Sequence, residues 1–333
     1  MWLSNWQYRR PITINNTNNS NNLSDYQVLI TIDTASLISV GKMKNDCGDV
    51  RFCDSDGTTL LDYWIESGIN TSSTKIWVKV PSIPASSTKT IYFYYGNPSA
   101  SSASNGNNTF LFFDDFEGTT LDTTKWNWIN FGGSYSVSNS ILTITDSGGG
   151  NDNSGIMSVS YKPPADTIIE TLGKSRNIGV YKEIYWIALQ DVNSTNIYNA
   201  LNSHFLFLSG GSSIRHQSRY GGSWGTEDVV YSAYSPNTWR IGKVVLRANS
   251  QDWYLLTPDR TVEGSLLNNT DLPQNFARTY YVGLQTREET NDFDWILVRK
   301  YTSPEPTTSV GAEETLVMSR ARRRLLISKQ VAN

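Results

Sequence analysis

Apolar and polar residues alternate in short runs along most of the chain. In KIWVKV, Ile76, Val78 and Val80 share one side, with Lys75, Trp77 and Lys79 on the other. That two-residue period belongs to a strand with one face toward a core. RRPITINN, YQVLITID and KTIYFYYGN alternate likewise, and DVRFCDSDGTTLLDYWIES reads as two short strands around the turn Asp56-Gly57. No helical period appears, so the first part predicts a sandwich of about seven strands. From Asn97 to Thr109 the chain reads NPSASSASNGNNT. Such a run has no apolar surface to bury and predicts a linker. Strand-like runs then resume, among them SVSNSILTITD, EIYWIALQD, NALNSHFLFLSG, SSIRHQSRY, NTWRIGKVVLRA and FDWILVRKY. Strands of this number and length predict two stacked antiparallel sheets, a jelly roll. The expected organisation is a β-sandwich over residues 1–98, a linker over 99–109, a jelly roll over 110–314 and a basic tail over 315–333.

Composition supports an all-β chain. It is rich in Ser, Thr, Asn, Gly, Tyr and Trp and has few charges, a mix suited to strands and turns. The net charge of −3 hides an asymmetry. Thr315–Asn333 holds four Arg, one Lys and no acid, which leaves the body at −8. A body of that sign offers no basic face to nucleic acid. In the tail, Arg320, Arg322, Arg323 and Arg324 cluster among the apolar Leu316, Val317, Leu325, Leu326 and Ile327, the pattern of a partner-binding amphipathic segment or of a flexible end. No apolar run is long enough to span a membrane. The opening MWLSNWQYRR lacks the basic and apolar regions of a signal peptide, so the expectation is either a leader already removed or a protein made without one. Seven Asn-x-Ser/Thr sequons occur, at Asn15, Asn18, Asn22, Asn70, Asn107, Asn193 and Asn268. They are glycosylation acceptors or the by-product of an Asn/Ser/Thr-rich composition.

Several phrases in order, WQYRRPITINN, DYQVLITID, DVRFCDSDGTTLLDYWIE, IWVKVPSI and IYFYYGNPSASSASNG, make the stretch from Trp6 to Asn107 resemble the domain of unknown function 2341 family of archaeal and bacterial surface proteins. The part from Phe110 to Glu314 resembles a concanavalin A-like or laminin-G-like jelly roll through FFDDFEGTTLDTTKW, NTWRIGKVVLRA and FDWILVRKYTSPEPTTSVGAEE. The resemblance implies a fold and a surface location, and no activity.

Candidate chemistry is sparse. Glycosidic cleavage of the laminarinase kind needs two carboxylates about 5 Å apart, and on one strand that means acids at alternate positions. EIYWIALQD offers Glu183 and Asp191 at its two ends, and TIIETLGK offers Glu170 alone. The two histidines, His204 and His216, come with no nucleophile elbow and no zinc spacing. Structural calcium is the cofactor expectation, held by Asp114, Asp115 and Glu117 near the first jelly-roll strand and Asp292 and Asp294 near the last, since calcium wants six to eight oxygens. Cys47 and Cys53 are spaced for a local disulfide across a turn, or stand as two separate thiols. For glycan binding, which uses aromatic rings and polar groups together, the candidates are Trp186, His204, Arg215, His216, Tyr220 and Trp224.

The expectation from sequence is a non-catalytic protein of the cell surface or extracellular space that binds glycans or neighbouring surface proteins. A structural subunit of a virion or of an extracellular filament, assembling through its tail, is the alternative. A glycoside hydrolase is the second alternative.

Overall fold

The computed structural model describes residues 1–147, 153–179, 182–194, 199–209, 211–270 and 280–316. The chain is all-β and divides into two compact units, Met1–Thr109 with the described residues from Thr302 on, and Phe110–Tyr301.

In the first unit, β1 (Tyr8–Asn15), β2 (Leu23–Ile32), β3 (Arg51–Cys53), β4 (Leu60–Leu61), β5 (Tyr63–Ser67), β6 (Thr74–Ile83) and β7 (Thr88–Tyr95) make two sheets. One has the order β2-β6-β5, and the other runs β1-β7-β3-β4. The alternation places residues as expected. Ile76, Val78 and Val80 join Val28 and Ile30 of β2, Ile12 and Ile14 of β1, and Ile91 and Phe93 of β7 in one core. Two short helices interrupt the strands, α1 (Thr34–Ser39) and α2 (Gly106–Thr109). Asp33 caps α1 by accepting the Ser36 N–H at 3.0 Å.

Two expected boundaries move. The segment expected as a linker, 99–109, is bonded into the first unit. Tyr63 carbonyl oxygen accepts the Asn105 N–H at 2.7 Å, Ser104 Oγ accepts the Ile65 N–H at 2.9 Å, and the Gln27 amide donates to Thr109 carbonyl oxygen at 2.9 Å. Its residues bury little apolar surface, but their backbone groups complete the edge beside β5, and backbone pairing leaves no trace in composition.

The second move is at the far end. The jelly roll closes at Tyr301 rather than at residue 314. After it the chain returns to the first unit as β23 (Thr307–Val310) and β24 (Glu314–Thr315), both antiparallel to β1, with Ile12 opposite Val310 and Tyr8 opposite Thr315. Asn19 donates to Thr302 Oγ1 at 2.7 Å, the Tyr26 hydroxyl to Glu305 at 2.8 Å and the Tyr95 hydroxyl to Glu313 at 2.6 Å, while Arg9 pairs with Glu314 at 2.7 Å.

The second unit is a sandwich of two antiparallel sheets. Among the described residues the larger has the order β10 (Gly133–Ser138), β11 (Ile141–Asp146), β22 (Thr290–Lys300), β13 (Thr167–Ser175), β18 (Arg240–Leu246), β19 (Gln251–Leu256) and β20 (Val262–Asn269), with β8 (Phe112–Asp114) also paired to β22. The smaller runs β17 (Ser223–Tyr231), β16 (Ser213–Tyr220), β15 (Ser203–Ser209), β14 (Glu183–Gln190), β21 (Tyr281–Arg287), β12 (Ser154–Ser158) and β9 (Trp126–Ile129). This is the expected jelly roll. Its core takes Ile169, Val244, Trp253 and Ile296 from the first sheet and Ile184, Trp186, Leu206 and Ile214 from the second. No helix of the described residues is long and apolar enough to cross a membrane. Of the seven sequon asparagines, six are exposed, whereas Asn193 is half-buried and its amide donates to Ser158 carbonyl oxygen.

Candidate functional site

The smaller sheet of the second unit has an outer side that the core does not use. A β-bulge on β14, between Tyr185 and Ala188, turns both Trp186 and Ile187 inward with Ile184 and Leu189. Glu183, Tyr185, Ala188 and Gln190 are left facing out. On β15 the same alternation puts Phe205 and Phe207 outward, and on β16 Arg215, Gln217 and Arg219. Register then builds rows across the strands. Tyr185 lies opposite Phe207 and Phe207 opposite Arg215, while Phe205 lies opposite Gln217 and Gln217 opposite Glu227.

These rows form an aromatic floor with a polar rim. Tyr185 and Phe207 stack with centroids 5.2 Å apart, and Tyr185 meets Phe205 edge-on at 5.4 Å. Phe205 in turn meets the half-exposed indole of Trp224, 6.3 Å away. Tyr185, Phe205 and Phe207 are nearly fully buried and lie outside the main core. Around them Arg215 pairs with Glu227 at 3.1 Å. The buried Arg219 donates to the carbonyls of Gly222 and Ala200, both at 3.0 Å, with its guanidinium 5.3 Å from the Trp224 ring. Glu183 accepts the Tyr185 hydroxyl at 2.5 Å and lies 3.7 Å from Arg287. Burial raises the pKa of Glu183, with a smaller push from Glu227, against the opposing pull of Tyr185 and Arg287.

The structure divides the six glycan-binding candidates. Arg215 and Trp224 belong to this face, and Tyr220 stands exposed at the tip of the β16–β17 hairpin. Trp186, His204 and His216 are fully buried on the other side of the sheet, so none of them can meet a ligand there. Trp186 donates its indole N–H to Gly173 carbonyl oxygen at 3.1 Å.

The histidines form a buried polar bridge between the two sheets. His204 Nδ1 and His216 Nε2 are 3.3 Å apart in rings within 10° of parallel. The Gln251 amide nitrogen donates to His204 Nδ1 at 3.1 Å. That nitrogen is therefore bare, and the hydrogen between the rings sits on His216 Nε2. Asn269 then donates to His216 Nδ1 at 3.3 Å. The 5.6 Å between ring centroids is the separation of two imidazoles joined in line by N–H···N, so their nitrogens point at each other and do not converge on an ion. Burial drives both pKa values down, that of His216 to about 3.

The calcium ligand set does not assemble either. Asp114 is taken up by the Trp126 indole N–H at 2.7 Å and the Phe116 N–H at 2.9 Å. Asp292 is held by Arg176 at 2.6 Å and Lys174 at 3.5 Å. Glu117 is exposed and accepts the Ser140 hydroxyl, Asp115 and Asp294 are half-buried, and Asp114 lies opposite Ile296, four residues along β22 from Asp292. Among the described residues no three His, Cys, Asp or Glu gather to hold an ion. Cys47 and Cys53 are both buried and both free thiols, which decides against the disulfide. Burial raises both of their pKa values, that of Cys53 to about 12, so neither is a ready nucleophile. The tail arginines Arg320, Arg322, Arg323 and Arg324 lie outside the described residues.

Comparison with known proteins bears on the first part of the chain. Residues 46–129 match the family model described as Domain of unknown function (DUF2341). The match overlaps the stretch recognised by its phrases and runs on past Thr109. No curated protein matches the chain. Among solved structures it is similar to LamAcat from Zobellia galactanivorans, at 15% identity over 59% of this chain and 100% of that one, TM-score 0.44. It is also similar to Rv0315 of Mycobacterium tuberculosis, an immunostimulatory antigen and pseudo beta-1,3-glucanase, at 13% identity over 60% of this chain and 100% of that one, TM-score 0.45. A third, from work on endo-acting O-glycanases of the human gut microbiota, shares 14% identity over 58% and 100%, TM-score 0.44.

Proposed function

We propose that this chain is a non-catalytic glycan-binding protein of the cell surface, extracellular space or virion surface, and that its contact face is the outer side of the strands β16 and β17. The observation that carries the reading is the half-exposed indole of Trp224, which packs against the buried aromatic cluster of Tyr185, Phe205 and Phe207. An antiparallel sheet with one side on the core ordinarily turns polar residues outward. Here the outward rows set the half-exposed Trp224 ring on the same strands as the hydrogen-bonding side chains of Arg215, Gln217 and Glu227, the combination that receives a sugar ring and fixes its hydroxyls. Affinity electrophoresis of the full chain through gels containing plant, microbial and mucin polysaccharides tests it. Retardation by at least one of them, lost in Trp224→Ala, is expected; free migration in all of them would sink the reading.

A hydrolase is the second reading, and Glu183 is the observation that favours it, a buried carboxyl with a raised pKa beside the aromatic floor. Against it, Glu183 and Glu227 are each already paired with an arginine, Arg287 and Arg215. Reducing ends released from a retarding polysaccharide by the wild type and not by Glu183→Gln would transfer the protein to the enzymes.

A further inference from the structure

The charge arrangement on this face says what class of glycan it takes, given that it binds glycans at all. The polar groups left accessible on the Trp224 side of the adjacent strands β16 and β17 include Arg215, Gln217 and Glu227, with the Gln217–Glu227 row following the Arg219–Trp224 row in register. Arg215 and Glu227 are paired with each other at 3.1 Å, with side chains 31% and 37% exposed. Elsewhere on the face Arg287 is paired with Glu183, and Arg219 is buried and bonded to two carbonyls. Lys162 lies over the Tyr281 ring, at the opposite side of the sheet from Trp224. Each of these arginines therefore already has a carboxylate or carbonyl partner.

A glycan carboxylate or sulfate arriving at Arg215 would compete with Glu227. It would displace that carboxylate or sit against it, and like charges at close range repel. A neutral sugar meets no such conflict. Each hydroxyl is both donor and acceptor, so neighbouring hydroxyls can accept from the Arg215 guanidinium and donate to Glu227 without breaking the pair. Gln217, opposite Glu227 in register, adds one further donor and acceptor. We propose that the Arg215–Glu227 pair, with Trp224 as the stacking ring and Gln217 beside it, selects uncharged, hydroxyl-rich glycans and rejects uronic-acid and sulfated ones.

Calorimetric titration of the full chain separates this proposal from the reading on which it rests. The probes are pentasaccharides of glucose, mannose and N-acetylglucosamine, set against a pentamer of galacturonic acid and a sulfated glucan pentamer. At least one neutral probe should bind about tenfold or more tighter than either acidic one, a difference of about 1.4 kcal/mol. Its affinity should be nearly unchanged between low and physiological salt, because no net charge is neutralised. Glu227→Gln, which leaves Arg215 uncompensated, should raise the affinity for the galacturonate pentamer and introduce salt dependence. Tighter binding of an acidic probe by the wild type, weakened by salt, overturns the neutral selectivity and leaves glycan binding standing. No heat with any probe, together with free migration in every polysaccharide gel, removes both.

Discussion

Among the described residues of the second unit, Glu170 is the most deeply buried carboxylate. It sits on β13, fully buried, with Arg260 at 2.8 Å and Arg299 at 3.4 Å. Burial pushes its pKa up, but Arg260, then Arg299 and Lys243, outweigh that and hold it at about 2. In TIIETLGK this residue was a lone acid with nothing to suggest its partners, because the two arginines come from β22 and from the turn before β20, 129 and 90 residues away. Removing the charge strands two guanidiniums in a site with little water. Glu170→Gln should cost about 3–5 kcal/mol of unfolding free energy, the usual loss when one member of a buried ion pair is removed. Urea unfolding followed by circular dichroism reads this, and a loss below about 1 kcal/mol would mean that the cluster is better hydrated than its burial indicates.

At the scale of elements, the spacing of the two jelly-roll sheets rests on small residues. Gly242 on β18 approaches Trp186 on β14 so closely that a Cβ there would lie 2.6 Å from Trp186 Cβ, and a Cβ at Gly173 would lie 3.2 Å from the indole nitrogen. The fully buried indole occupies the room these glycines leave. Gly242→Ala should lower stability by about 1–3 kcal/mol, the range for overpacking a well-filled core, and a melting temperature equal to wild type would refute the tight fit. The closing strands β23 and β24 make a different element-level claim. They supply the edge of the first unit's sheet and bring Glu305, Glu313 and Glu314 to their partners. Truncation after Tyr301 should unfold the first unit and spare the second. Hydrogen exchange should then show β1 and β7 unprotected while β13 and β22 stay protected. Full protection of β1 in the truncated chain would show that the returning strands are dispensable.

For the whole molecule, acid is the informative perturbation. His204 and His216 are neutral in the folded state because burial lowers their pKa values, His216 to about 3 from 6.5. The unfolded chain takes up protons near pH 6.5 and the folded chain does not, so stability falls as pH drops below 6.5 and goes on falling until about 3. The slope is about 1.4 kcal/mol per pH unit for each histidine. Glu170, with its lowered pKa, adds a loss of the same sign only below the ordinary carboxylate range. Glu183 acts in the opposite sense because its pKa is raised. Asp228, 3.9 Å from His216 Nδ1, is the charge that a protonated His216 would meet. The difference between wild type and a His204→Gln/His216→Gln variant isolates the histidine part. Fluorescence-detected melting should show the wild type losing stability from near pH 6.5 while the variant holds until the carboxylates titrate. In the wild type, nitrogen chemical shifts should report both imidazoles still neutral at about pH 5. Parallel pH profiles, or imidazolium signals at that pH, would contradict the buried neutral bridge.

Local pattern alone determined the class of this protein. Two-residue alternation named the strands, and in KIWVKV, where only one side is uniformly apolar, it also named the side that faces the core. The break in composition after Tyr95 marked the neighbourhood of a division between units, and the spacing of acids within each strand gave no catalytic pair. What local pattern could not decide is which side of a doubly apolar strand turns inward. EIYWIALQ and SHFLFLS are apolar on both sides, and the bulge that sends Trp186 and Ile187 together into the core is a matter of pairing with β15 and β21. In SIRHQSRY a hint was present, since His216 shares its side with Ile214 and not with Arg215, Gln217 and Arg219. The partners of His216, Glu170 and β1 lie tens to hundreds of residues away along the chain. A sequence lists neighbours along the backbone, whereas hydrogen bonds, ion pairs and burial depend on neighbours in space, and only the order of strands in the folded sheets brought these residues together.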